Sequence, residues 1–134
     1  MLLPIHATVA VIDGEHLHLF QNGGHEGALS LTAQPNPHIE TANAGSGGRH
    51  VSGSANPDGH HQTEDGFAAG AAAWLNREVL EGRIRSLMVI AAPKTLGELR
   101  RHYHKGLEAV LVGELAKDLI GRPAADVEAA VAHA

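Results

Sequence analysis

The run Gly45-Ser46-Gly47-Gly48-Arg49-His50 combines unhindered backbone donors with a guanidinium, which is the chemistry that holds a phosphate or another oxyanion. Gly47, Gly48, Arg49 and His50 are therefore the first candidate ligand-binding residues, with Lys94 and Arg100 as secondary phosphate contacts. The competing reading of the same run is a solvated glycine-rich loop. No Walker lysine follows it, and no Gly-x-Gly-x-x-Gly opens a helix here. Ser46, Ser52 and Ser54 lie near His50, but no Gly-x-Ser-x-Gly elbow presents a nucleophile. No catalytic residue is assigned.

Metal chemistry has donors in number and few in pattern. Among eleven histidines, the tight pairs are His16-x-His18, His60-His61 and His102-x-His104. Alternate residues of a strand share a side, so His16 and His18 could converge. Two residues apart on a helix do not face each other, which argues against His102 with His104 if that stretch is helical. With no cysteine, a zinc site would need ligands from distant segments. A metal-dependent nuclease needs several converging acids. Asp13, Glu64 and Asp65 are the available ones, yet Asp13 reads more simply as a turn residue, and Glu64 and Asp65 as partners of a helix dipole. Neither a metal nor a cofactor is expected.

The charge distribution adds one hint. The formal net charge is −5, whereas seven of the ten Lys and Arg fall between Arg77 and Lys105, opposed there by Glu78, Glu81 and Glu98. Arg77, Arg83, Arg85, Lys94, Arg100 and Arg101 could form an RNA-facing surface or simply the solvated faces of helices. One Trp and one Tyr make no stacking platform of the kind single-strand binders use.

These residues need elements to hold them. Ala7–Ile12 is apolar on both faces and reads as a central strand. Asp13-Gly14 marks a hairpin, Glu15–Phe20 the return strand, and Gly27–Thr32 a third. Residues 34–61 carry prolines 35, 37 and 57 and no hydrophobic period. A long loop of this kind is usually functional or disordered, and its composition predicts flexibility. Helical spacing then joins Phe67, Ala71, Leu75 and Val79, with Ala68 and Ala72 beside them. Thr63 is the expected N-cap and Gly82 the expected end. Ser86–Ala91 is a buried strand. Thr95-x-x-Glu98 is a capping box for a helix running to Lys105-Gly106. Ala109–Leu115 is the fifth strand, and Pro123 starts a last helix whose Val127, Ala130 and Val131 face inward. The prediction is one α/β domain over 1–134, in the order βββ–long loop–αβαβα, with a mixed five-strand sheet. Met1 to His6 shows no signal-peptide pattern and no apolar run approaches a membrane span, so no membrane contact and a cytoplasmic location are expected.

Several blocks together resemble the bacterial host attachment proteins. These are Val9-Ala10-Val11-Ile12-Asp13-Gly14 through Phe20, Phe67-Ala68, Leu87-Met88-Val89-Ile90-Ala91-Ala92-Pro93 with Leu96-Gly97-Glu98-Leu99-Arg100, and Glu114-Leu115-Ala116-Lys117-Asp118-Leu119. That family is similar in architecture to the middle domain of archaeal and eukaryotic peptide-chain release factors. The resemblance implies a ribonuclease-H-like three-layer fold and a long loop after the third strand. In release factors that loop carries Gly-Gly-Gln to the peptidyl-tRNA ester. Here Gly47-Gly48-Arg49 stands at that place, and arginine brings a fixed charge with donors but no acceptor. The resemblance therefore implies a binding domain for tRNA, the ribosome or a protein partner, and it argues against release chemistry. A hydrolase of esters or phosphodiesters, or an interaction protein in attachment, are the alternatives. Oligomeric state is not legible.

Overall fold

The computed structural model describes residues 3–24, 28–41 and 59–134, with the side chains of the first helix described from residue 66. Gly47, Gly48, Arg49 and His50 lie outside these residues, as do the side chains of Thr63, Glu64 and Asp65. The elements are β1 (Thr8–Ile12), β2 (Leu17–Asn22), β3 (Leu31–Gln34), α1 (Gly59–Leu80), β4 (Leu87–Ala91), α2 (Pro93–Arg100), α3 (Lys105–Val110), β5 (Leu111–Ala116) and α4 (Ala124–Ala132).

The strands form one mixed sheet in the order β3-β2-β1-β4-β5. β1 pairs antiparallel with β2 and parallel with β4, while β4 pairs parallel with β5. The central strands are apolar on both faces because both faces are covered. Ala10, Ile12, Leu87, Val89 and Ala91 pack beneath α1, α2 and α3. Val9, Val11, Met88 and Ile90 meet Val127 and Val131 of α4 on the other side. This is the α/β architecture with a mixed five-strand sheet expected from the sequence.

Helix α1 approaches the sheet closely because its inner stripe is small: Ala68, Ala71 and Ala72 accompany Leu75, all buried. At Gly70 the chain leaving β3 crosses the helix. A Cβ there would stand 2.2 Å from the Glu40 carbonyl oxygen and 2.9 Å from Ile39 Cγ2, so glycine is what lets the connection lie against α1. The helix stops as its sequence suggests. Gly82 has φ +80; its N–H bonds the Val79 carbonyl and the Arg83 N–H bonds that of Glu78, the two-bond pattern of a glycine-terminated helix.

Four local expectations need correction. The third strand is Leu31–Gln34, not Gly27–Thr32. Helix α1 begins at Gly59, ahead of Thr63. Thr95 does not cap α2: Pro93 opens the helix, Ala92 is the cap residue, and no side-chain bond closes the end. Proline is preorganised for that first position, which moves the start two residues ahead of the threonine. Finally, α2 ends at Arg100, and residues 105–110 form a separate short helix. The order is therefore βββαβααβα.

Among the described residues no helix is long and apolar enough to cross a membrane.

Candidate functional site

The strand directions separate the two ends of the domain. Helix α1 feeds β4, so its last turns lie where β1, β4 and β5 begin. Helix α2 leaves the other edge, where those strands end, and returns. Lys94 sits in its first turn and Arg100 at its last residue. At 1.5 Å per residue they are about 9 Å apart along the axis and on different sides of the helix. They do not make one subsite.

Arg100 is already engaged. Its Nε and Nη2 donate to Glu114 Oε1 at 3.0 and 2.8 Å, and the Tyr103 hydroxyl donates to Glu114 Oε2 at 3.3 Å. A β-bulge makes this possible. Leu87 pairs with Leu111 and Met88 with Gly113, so Val112 is the extra residue, and both Leu111 and Glu114 fall on the face covered by α1, α2 and α3. The trio fastens the α2–α3 connection to the edge strand.

Burial, and after it the Glu114 carboxylate, holds the Tyr103 phenol well above the ordinary tyrosine range. An acid whose folded pKa is raised keeps its proton while the unfolded chain loses it. Stability is therefore present below the unfolded value, about 10, and declines as pH rises above it. Tyr103 is the single tyrosine, so ultraviolet absorbance can follow it alone. Phenolate should form above the ordinary range and together with unfolding. Glu114→Gln should bring it earlier. A normal titration in a folded protein would contradict the contact.

The other cations divide sharply. Arg83 bonds Glu78 Oε1 at 2.9 Å and Oε2 at 2.7 Å, and also holds Glu81. Arg101 pairs with Glu98 at 3.4 Å. Arg77, on the outer side of α1, has no carboxylate partner among the described residues, a state it shares with Arg85, Lys105 and Lys117. It lines a groove of about 400 Å³ between α1 and the α2–α3 connection, where Ala69, Ala73 and Leu80 form the α1 side and His102 and His104 the opposite wall. That volume lies at the lower end of the roughly 300–1,000 Å³ of small-ligand sites.

Asn76 fixes that wall. It is 7% exposed. Its Nδ2 donates to the His102 carbonyl at 2.9 Å, and its Oδ1 accepts the His104 N–H at 3.0 Å. This corrects the reading of His102 and His104 as a helical pair facing different ways. The helix has ended, and both residues line the groove. His102 Nε2 is also 3.4 Å from Glu98 Oε1. Spacing alone could not reveal the site, because it joins residues 26 and 28 positions apart. An asparagine late in an otherwise alanine-rich helix was the available signal.

Asp13 is the turn residue its position suggests. Its Oδ1 accepts the backbone N–H of Glu15 at 2.8 Å and of His16 at 2.6 Å, with His16 Nδ1 at 3.2 Å. The His16 and His18 rings stand on one side with centroids 6.0 Å apart. Among the described residues no group of three His, Asp or Glu side chains is placed to hold a metal ion.

Residues 6–131 match the model of bacterial archaeo-eukaryotic release factor family 12. The match spans nearly the whole chain, and the chain belongs to that family. No curated protein matches it significantly.

Proposed function

We propose that the chain is a non-catalytic RNA-binding domain of this release-factor-like family, engaging tRNA or a ribosome-associated complex. The observation that supports it best is Arg77. Arg83, Arg100 and Arg101 are paired with carboxylates, whereas Arg77, with no carboxylate partner among the described residues, stands at a groove faced by two imidazoles. Its place in the last turn of α1 also suits the helix dipole, but that leaves its five donors available to a phosphate. The glycine-rich segment Gly47–His50, with Arg49, is the second proposed contact, and Lys94 a flanking one. On this reading the protein works in the cytoplasm, and any effect on attachment is indirect.

Binding to tRNA should weaken as salt rises, because each neutralised phosphate releases counterions. Arg49→Ala and Arg77→Ala should each lower the slope of log affinity against log salt by about 1. Filter binding or fluorescence anisotropy across a salt series measures this. A slope of zero removes the RNA reading. Metal-supplemented nuclease and peptidyl-tRNA assays should show no turnover; activity there would favour the hydrolase alternative.

A further inference from the structure

The groove beside Arg77 has features that an ordinary solvated helix face does not need. The inner stripe of α1 already supplies the core through Ala68, Ala71, Ala72 and Leu75. On the outer side Ala69, Ala73 and Leu80 border the groove, and Leu80 is 85% exposed. An outward helix face is normally polar. Here it is a shallow apolar floor about 16 Å long, from the helical rise, with one guanidinium set into it that has no carboxylate partner among the described residues. The opposite wall is fixed in advance, since both polar groups of Asn76 are spent on the backbone of 102 and 104.

An apolar floor, a fixed cation and planar nitrogen-bearing rings are three different demands on a ligand. Inorganic phosphate answers only the cation. An apolar partner helix answers the floor but would bury Arg77 without a counter-charge, which is costly. Duplex RNA presents phosphates while its base faces stay stacked inside the helix. An unstacked nucleotide answers all three, because single-stranded RNA splays its bases onto aromatic rings or Arg planes, and here two imidazoles take the part that Trp and Tyr play in other single-strand binders.

We propose that this groove is a nucleotide subsite for single-stranded RNA. Arg77 takes the phosphate, the Ala69–Ala73 floor takes the base, and the imidazoles of His102 and His104 close over its edge or face. The subsite rests on the RNA-binding reading and names the form of RNA.

The experiment uses the full chain with a short unstructured oligoribonucleotide and with an RNA duplex of matched length, followed by fluorescence anisotropy. The single strand should bind at least about tenfold more tightly than the duplex, the discrimination expected for one base contact. Ala73→Leu fills the floor at an exposed position, so the fold is expected to persist, which circular dichroism checks. It should cost about tenfold in single-strand affinity and leave the salt slope unchanged. Arg77→Ala should cost a similar factor and lower the slope by about 1. Lys117→Ala, at the far end of β5, removes one charge elsewhere and should leave the strand preference unchanged. If Ala73→Leu binds like the parent, or the duplex binds equally well, the subsite is wrong while RNA binding stands. If the parent binds no RNA, the functional reading fails and the subsite with it. A concentration-dependent dimer in sedimentation that Ala73→Leu dissolves would reassign the groove to a second copy of the chain.

Discussion

Replacing Asn22 by alanine is expected to lower stability by about 3 kcal/mol and the melting temperature by about 10 °C. Asn22 is 2% exposed, and its amide uses every valence it has. Nδ2 donates to the carbonyls of Leu3 and Pro4 at 3.0 and 3.2 Å. Oδ1 accepts the N–H of Gly24 and of Ser30 at 3.0 and 3.1 Å. One side chain therefore ties the amino-terminal segment to the turn between β2 and β3. Its backbone carbonyl also accepts the N–H of His6, whose φ of 69 is unusual for a residue other than glycine. Alanine would orphan two backbone donors where a net hydrogen bond is worth about 1 kcal/mol and an unmet buried group about 1–3. Denaturant or thermal unfolding measures the loss.

Asn22→Asp separates hydrogen bonding from shape. It keeps the acceptors for Gly24 and Ser30 but turns a second oxygen toward two carbonyls. Burial and those carbonyls would raise the pKa of such a carboxyl in the folded state. The folded form would then bind more protons than the unfolded one between the two pKa values, so stability should rise as pH falls through that window. Equal stability of this variant at neutral and acid pH would show that the amide donors contribute little.

Where the sequence was legible, one physical cause dominated the pattern. β1 and β4 are apolar on both faces because helices cover both faces, and no other environment favours such runs. The end of α1 was legible because a left-handed glycine at 82 has few other uses. The third strand was less so: it is an edge with one buried side chain, Leu31, and its backbone is completed from afar by Glu128, whose Oε2 accepts the Leu31 N–H at 2.8 Å. Thr95-x-x-Glu98 has the letters of a capping box, but Pro93 decides where the helix starts. Lys105-Gly106 looked like a helix end, although Gly106 lies inside α3 and has no positive φ. The interruption comes earlier, at residues 101–104, and part of its cause is the distant Asn76. The release-factor resemblance located the family; Arg49, which it singles out, lies outside the described residues. The groove at Arg77, His102 and His104 depends on two segments meeting, which no local pattern encodes.

Asn76 is therefore where fold and function can be pulled apart. Asn76→Ala should cost only about 1–2 kcal/mol, because the His102 carbonyl and His104 N–H sit on an exposed connection that water can reach once the amide is gone. That is less than at Asn22, although the burial is similar, and the reason is the surroundings of the partners. The effect on RNA should exceed what that stability loss implies. At a temperature where circular dichroism shows the variant fully folded, single-strand affinity is expected to fall about tenfold, since the far wall of the groove is no longer held in place and ordering it must accompany binding. No charge is removed, so the salt slope should stay at the parental value. Arg77→Ala should do the reverse, lowering the slope with little change in stability, and the two substitutions combined should lose less than the sum of their separate losses because they act on one site. Full additivity, or a slope that falls with Asn76→Ala alone, would place the RNA contact elsewhere and leave Asn76 as a purely structural clamp.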